Sequence, residues 1–202
     1  MTHSGSLLFL DIATRSGWAE GVPGERPSFG SIKLAPAGAS GDEVLAGMVR
    51  FLGERIMAFP PRWIVYEAPL VRNQRTAELL MGLCGVVRGV SYRLGVRSIK
   101  QIHVSTVRSR FLPKGYPKGG PELKAAVIDE VVRRGFDPAN DDEADALAGW
   151  IVAVGMIAPK VSPQYDPLLA GGRPNAARLL SPTKTEPRRA RRAAQADEEV
   201  PL

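Results

Sequence analysis

The apolar residues of this chain fall into short runs that alternate with amphipathic stretches, and this alternation predicts the order of its elements. The run SLLFLDIA, over 6–13, is mostly apolar and predicts a strand that is buried on both faces. Shorter runs over 17–21 and 28–34 are bounded by Gly and Pro turn signals. They predict two more strands, which form an antiparallel meander with the first.

Amphipathic helices and short strands alternate in the rest of the chain. A basic segment rich in Gly and Pro, over 111–122, predicts a loop. We predict helices over 42–57, 74–94, 123–134 and 141–156, and strands over 62–67 and 96–102. The order β-β-β-α-β-α-β-α-α predicts an α/β fold. Its mixed five-stranded sheet has three antiparallel strands, then helix-separated strands, and is flanked by helices.

Length and composition suggest one domain with an appendage. The chain has 202 residues, of which 44% are hydrophobic, enough for one well-cored domain. We place this domain at 1–158. Residues 159–202 are rich in Pro, Ala, Arg and Gly without a periodic apolar face, which predicts a flexible basic tail. Its PRRARR cluster suits non-specific phosphate contact and equally a solvated or partner-binding segment.

No stretch offers the roughly 20 apolar residues that a membrane helix needs, so we expect no membrane association. The first residues have no basic region before their apolar run and do not resemble a signal peptide. The single cysteine, Cys84, lies in a predicted helix and is expected to be a small buried residue. These features predict a cytoplasmic protein. The net charge of +6 permits an anionic partner without identifying one.

Four acidic residues have unusual positions. Asp11 lies in the first strand, Glu67 ends the fourth, and Asp142 and Asp145 lie three apart at a helix start, on one face. A carboxylate among apolar strand residues is costly unless a charge or hydrogen bonds compensate it. A divalent metal such as Mg²⁺ or Mn²⁺ would compensate all four, because hard oxygen ligands suit these ions.

Each acid also has a local explanation. An aspartate at a strand end often caps a turn, as Asp11 would before ATRSG. Glu67 has Arg72 and Arg75 nearby in sequence as possible partners. The helix dipole favours acids in a first turn, and Asn140 or Asp141 would serve as the cap. Spacing alone leaves these alternatives open.

Together these segments resemble a known family. LDIATRSGWA, then VYEAP before a long helix, then DDEADALAG, resemble the RuvC Holliday-junction resolvases of the RNase H-like superfamily, over roughly 6–157. The resemblance implies that Asp11, Glu67, Asp142 and Asp145 are the catalytic carboxylates. It departs from the family at Ile12-Ala13, where Pro-Gly is common. It departs again at Leu70, three beyond the glutamate, where the family often has an aromatic residue that wedges into the junction. Leu70 is still apolar, and by this resemblance it is a candidate DNA contact.

The resemblance implies a structure-specific endodeoxyribonuclease that resolves four-way or other branched DNA junctions. Two Mg²⁺ ions, replaceable by Mn²⁺, would be held by the four acids, with Asp11 bridging them, and the cut would leave 5′-phosphate and 3′-hydroxyl ends. Lys124 matches a catalytic lysine of the family and would neutralise phosphate charge. The family also acts as a homodimer, for which the helical segment 77–90 is the candidate interface. Further basic residues are candidates to grip DNA, or equally are ordinary surface charges: Arg72, Arg75, Arg108, Arg110, Lys114 and Lys118.

Other functions remain open at this stage. An actin-like kinase or ATPase needs a second glycine-rich phosphate loop and usually two domains, which this chain lacks, so no nucleotide cofactor is expected. A noncatalytic RNase H-like DNA-binding module would not need all four acids. A related nuclease that cuts flaps, forks or RNA–DNA hybrids shares the same chemistry. His103, at the end of the fifth predicted strand, is a candidate metal or water-activating residue or a structural histidine.

Overall fold

A computed structural model of the chain describes residues 5–69 and 74–165. Three strands open the chain: β1 (Leu7–Asp11), β2 (Arg15–Gly21) and β3 (Ser28–Lys33). Helix α1 (Gly41–Ala58), strand β4 (Trp63–Glu67), helix α2 (Gln74–Arg93) and strand β5 (Ser98–Ile102) follow in order. The remaining elements are α3 (Val104–Phe111), α4 (Gly120–Arg133), α5 (Asp141–Ile157) and a 3-10 turn at Ser162–Tyr165.

The five strands form one mixed sheet in the order β3-β2-β1-β4-β5. Strand β1 pairs antiparallel with β2 and parallel with β4, while β3 and β5 form the two edges. This arrangement confirms the predicted mixed α/β sheet. Since β1 lies at the centre with parallel and antiparallel neighbours, its last residue, Asp11, is surrounded by other elements.

Helices cover both faces of the sheet and create two apolar cores. Helices α1 and α2 pack on the face that carries Leu8, Leu10 and Ile64. Helices α3, α4 and α5 pack on the opposite face, against Leu7 and Phe9. Alternate residues of β1 therefore supply both cores, because successive side chains of a strand point to opposite faces. This explains why its sequence is an unbroken apolar run up to Asp11.

Helix α5 lies unusually close to the sheet. A Cβ atom at Gly149 would overlap the ring of Phe9, and a Cβ atom at Gly17 would overlap the backbone carbonyl oxygen of Asp142. The buried indole N–H of Trp150 donates to the carbonyl oxygen of Leu7 at 3.2 Å, which joins the same helix to β1. These close contacts fix the position of the helix that carries Asp142 and Asp145.

Two expectations about the elements need correction. Helix α3 lies between the predicted strand over 96–102 and the predicted loop over 111–122, where the sequence analysis assigned no element. The packed region also continues beyond residue 158, where we had begun the tail. Tyr165 is buried against Trp150, and its hydroxyl accepts from the Gly24 N–H and donates to the Glu25 carbonyl. The rest of the predicted tail, 166–202, lies outside the described residues.

Cys84 is buried in α2, as predicted. Within the two described ranges, no helix combines the length and apolar character needed to cross a membrane.

Candidate active site

Asp11 and Glu67 end two adjacent parallel strands. Asp11 is the last residue of β1 and Glu67 the last residue of β4, and both side chains are partly buried. Because parallel strands end at the same edge of a sheet, the two carboxylates lie at one edge, which we call the carboxyl edge. Neither carboxylate serves as a turn cap or ion-pair partner in any contact among the described residues.

Helix α5 begins at the carboxyl edge because three polar residues fasten its start. The Asn140 side chain caps the helix by accepting from the Glu143 N–H at 3.0 Å. The Asn140 amide also donates to the Ser31 hydroxyl on β3 at 3.0 Å. Buried Glu143 accepts from the Ala139 N–H at 2.8 Å. Glu143 is therefore structural, and the helix start is fixed to the sheet next to Asp11.

The four candidate acids affect one another electrostatically. Burial raises the pKa of Asp11 well above its usual value, and repulsion from Glu67, Asp145 and Asp142 raises it further. Burial, with repulsion from Asp145, raises the pKa of Glu67 to about 7, although Arg108 opposes this. The structure thus brings the four predicted acids into one group of interacting charges.

The two acids on α5, Asp142 and Asp145, also have raised pKa values. Burial raises the pKa of Asp145 to about 6, against the opposing effect of Arg108. Burial also raises the pKa of Asp142, and the neighbouring charge of Asp141 adds to the effect. Elevated pKa values on several neighbouring carboxyl groups mark a place where negative charge exceeds local compensation, which is typical of functional sites.

Lys124 and Arg108 are among the cations that border this group. Lys124, on α4, forms an ion pair and hydrogen bond with Asp141, which raises the pKa of Lys124 and lowers that of Asp141. Arg108, on the unpredicted helix α3, lowers the pKa values of both Glu67 and Asp145. Asp141 therefore has a role that the sequence analysis missed, because it holds Lys124 beside the acids.

An open cleft extends from the acids toward α2. Its volume is about 530 Å³, and Asp11 and Glu67 are among the residues that line it. The other lining residues are largely apolar: Ile12, Ala13, Thr14, Ala68, Pro69, Thr76, Leu79 and Leu80. Two of the four acids, Asp11 and Glu67, therefore border an open cleft.

The fold is similar to that of solved Holliday-junction resolvases. RuvC of T. thermophilus in complex with a Holliday-junction substrate superposes with a TM-score of 0.62 at 17% identity, over 78% of this chain and 97% of that one. The Thermus thermophilus RuvC structure superposes with a TM-score of 0.59 at 16% identity, over 77% of this chain and 97% of that one. The chain has the RuvC-like fold.

The yeast mitochondrial Holliday junction resolvase Ydc2 is similar too, with a TM-score of 0.54 at 10% identity over 82% of this chain and 86% of that one. No protein-family model and no curated protein matches the sequence. The RuvC-like fold predicted from the three motifs is therefore confirmed, and the similarity at these identities concerns the fold alone.

The other predicted DNA contacts are distributed unevenly. Arg110 is exposed on α3, Lys114 and Lys118 are exposed in the loop before α4, and Arg75 lies in the first turn of α2. The predicted contacts Leu70 and Arg72 lie outside the described residues. His103 is exposed and occupies the N-cap position of α3 without a capping hydrogen bond from its side chain.

The four acids suit a divalent cation by their chemistry. Carboxylate oxygens are the donors that Mg²⁺ and Mn²⁺ prefer, and cations would relieve the repulsion that raises the pKa values of these groups. Within residues 5–69 and 74–165, however, no three His, Cys, Asp or Glu side chains already form a ligand cluster for one ion. The donor set and its charge fit a metal. Coordination requires the carboxylates to turn toward a common point.

Gly17 provides the first test of the site's construction. We expect Gly17→Ala to lower the free energy of unfolding by about 1–3 kcal/mol, because the added methyl group overlaps the Asp142 carbonyl and forces α5 away from β2. Urea denaturation measures this change. Gly53→Ala in α1 is the matched control, because a Cβ atom there meets open space. Equal stability of the two variants would contradict the close packing of α5.

Proposed function

We propose that this chain is a metal-dependent endonuclease that cuts branched DNA, with four-way junctions as its preferred substrate. The observation that carries the proposal is the convergence of Asp11, Glu67, Asp142 and Asp145 from three elements on one edge of a RuvC-like fold. Their mutually raised pKa values support it, since the group has more negative charge than the protein itself compensates.

In this proposal the four carboxylates hold two divalent ions, Mg²⁺ or Mn²⁺. Such ions would lower the pKa of an attacking water and would stabilise the leaving oxygen of a phosphodiester. Asp11 is the most rigidly placed donor, because it ends the central strand. Asp142 and Asp145 are positioned by the capped start of α5.

Lys124 is proposed to neutralise charge on the reacting phosphate. Its ammonium group is largely exposed, and Asp141 holds it at the margin of the acids. Arg108 affects Glu67 and Asp145 electrostatically and is proposed to fill a similar role from the β5 side. Exposed Arg110, Lys114 and Lys118 extend positive charge from this side and are proposed to contact the DNA backbone.

The similar structure that supports the choice of substrate is a RuvC complexed with a Holliday junction. The test is cleavage of end-labelled four-way junctions, flaps, forks, linear duplex and RNA–DNA hybrid in Mg²⁺ or Mn²⁺. We expect the junction to be cut fastest, with 5′-phosphate and 3′-hydroxyl products. Faster cutting of flaps or hybrids would reject the junction preference and retain the nuclease. Binding without metal-dependent cutting would favour a noncatalytic module.

We also propose that the protein is a homodimer that pairs through the exposed face of α2. A four-way junction offers two symmetric cleavage points, which a twofold dimer matches. Gly85 and Gly89 lie one turn apart with open space above their Cβ positions, flanked by Met81 and Tyr92, which are 60% and 61% exposed. Two exposed glycines weaken a helix by about 1 kcal/mol each, a cost that close approach of another backbone explains.

Replacing Gly85 with Leu should shift the protein from dimer to monomer in sedimentation velocity, because the larger side chain separates the two helices. Gly53→Leu is the control, since Gly53 lies in the other helix, α1, with open space above it. A monomeric wild-type protein at micromolar concentration, or an unchanged dimer in Gly85→Leu, would contradict this interface.

A further inference from the structure

Two cations face each other across the β2–β3 hairpin at the carboxyl edge. Arg15 and Lys33 are directly opposite one another in the strand register, and both are exposed. We call them the Arg15–Lys33 pair. Strand β2 is antiparallel to β1, so its first residue lies beside the end of β1, where Asp11 is located.

The pair lies on the same face of the sheet as α5. Two residues farther along the hairpin, Gly17 contacts the start of α5 and Ser31 accepts from the Asn140 amide. Residues two apart in a strand share a face, so Arg15 and Lys33 belong to this face as well. Arg15 and Lys33 therefore lie just past the N-terminal end of α5. They are on the β2–β3 side of the acids, whereas α3 follows β5 on the other side.

Few negative charges of the protein offset the repulsion between Arg15 and Lys33. Like charges directly opposite each other on a sheet are destabilising. Arg15 lies 3.9 Å from an Asp142 carboxylate oxygen, a distant ion pair whose arginine side chain is 49% exposed. Within the described part of the chain, no carboxylate lies within ion-pair distance of Lys33. An anion between the two cations would relieve their repulsion.

We propose that the Arg15–Lys33 pair binds a backbone phosphate of the DNA strand, next to the phosphate that is cut. This inference rests on the proposed function and adds residues that the sequence analysis did not assign. The sheet order places the four acids between two positive sides, with the Arg15–Lys33 pair on β2 and β3 and with Arg108 after β5. The strand is therefore held on both sides of the bond.

Metal binding and phosphate binding are compatible at Arg15. The proposed function assigns Asp142 to a metal, and a carboxylate that turns toward a cation gives up its weak ion pair with Arg15. The planar guanidinium then has its donors available for phosphate oxygens, a geometry in which arginine binds in two-point fashion. Lys33 contributes a second positive charge without a fixed geometry.

The test measures how salt affects DNA binding by the full-length chain. Affinity for a labelled four-way junction is measured in EDTA, where no cutting occurs, by fluorescence anisotropy at several salt concentrations. We expect Arg15→Ala and Lys33→Ala each to weaken binding and to reduce the slope of log affinity against log salt by about 1, and the double variant by about 2. The control is Lys160→Ala, an exposed cation beyond the opposite end of α5, which should leave the slope nearly unchanged.

The alternative role of Arg15 is to compensate Asp142 alone. We therefore repeat the Arg15→Ala measurement in an Asp142→Asn background. If Arg15→Ala still reduces the slope of log affinity against log salt in this background, phosphate binding by Arg15 is supported. If Arg15→Ala no longer changes the slope, phosphate binding by Arg15 is overturned.

Failure of this inference differs from failure of the proposed function. Wild-type slopes in both single variants overturn the Arg15–Lys33 site while junction binding and cleavage persist. A wild-type chain that binds no DNA overturns both.

Discussion

Replacing Asp11 with Asn is expected to reduce metal-dependent cleavage of DNA by on the order of 10³-fold or more, because loss of a charged metal ligand removes several kcal/mol of transition-state stabilisation. An amide is nearly the same size as the carboxylate, so packing at the end of β1 is retained. Initial rates on a labelled junction in Mg²⁺ measure the effect. The control is Asp129→Asn, which makes the same chemical change at an exposed position of α4.

The same substitution is expected to stabilise the metal-free protein at pH 7.5. Burial and repulsion from four other acids (Glu67, Asp145, Asp142 and Asp141) raise the pKa of Asp11, so ionising this group within the fold is costly. Denaturation in EDTA measures the gain. A variant that lost activity through misfolding would instead be less stable than the wild type. Destabilisation of Asp11→Asn in EDTA would contradict the proposed crowding of charge.

The second large effect concerns pH and Glu67. The pKa of this carboxyl is raised from 4.5 to about 7 by burial and by Asp145. Between these values the folded protein holds a proton that the unfolded chain has lost, so the free energy of unfolding falls as pH rises from about 4.5 to 7. The full difference corresponds to roughly 3 kcal/mol. We expect Glu67→Gln to lack this component.

Urea denaturation of the metal-free wild type and Glu67→Gln, from pH 4.5 to 8, measures the difference. The two proteins should be nearly equal at the acid end, and the variant should be more stable at the alkaline end. Adding Mg²⁺ at pH 7.5 should stabilise the wild type more than the variant, because metal binding favours the ionised form. Parallel pH curves for the two proteins would show that Glu67 is solvated like an ordinary surface acid.

The main elements of the site were predictable because local sequence determines them. The apolar run before Asp11 and the short apolar segment before Glu67 each predict a strand that ends in an acid. The three-residue spacing of Asp142 and Asp145 places both on one side of a helix. The order of the elements predicts that strands end together at one edge of a sheet, and the resemblance to RuvC resolvases added the expectation that these acids converge.

The parts that the sequence did not predict depend on tertiary contacts. Helix α3 buries only Val107 and Phe111, so its eight residues show little apolar periodicity. The link between Asp141 and Lys124 joins two helices whose relative placement is set by packing in the core. We began the second strand at residue 17, so the register that opposes Arg15 and Lys33 was missed. Nothing in the sequence around Gly17 indicates that α5 packs against this residue.

The most direct test of the proposed metal-dependent nuclease is cleavage of an end-labelled four-way junction by the purified wild-type chain in Mg²⁺, beside EDTA and beside Asp145→Asn. We predict that the wild type cuts the junction in Mg²⁺ and does not cut it in EDTA. We predict that Asp145→Asn does not cut the junction even when more Mg²⁺ is added. Cutting that persists in EDTA, or at the wild-type rate in Asp145→Asn, would contradict the assignment of these carboxylates as the metal site.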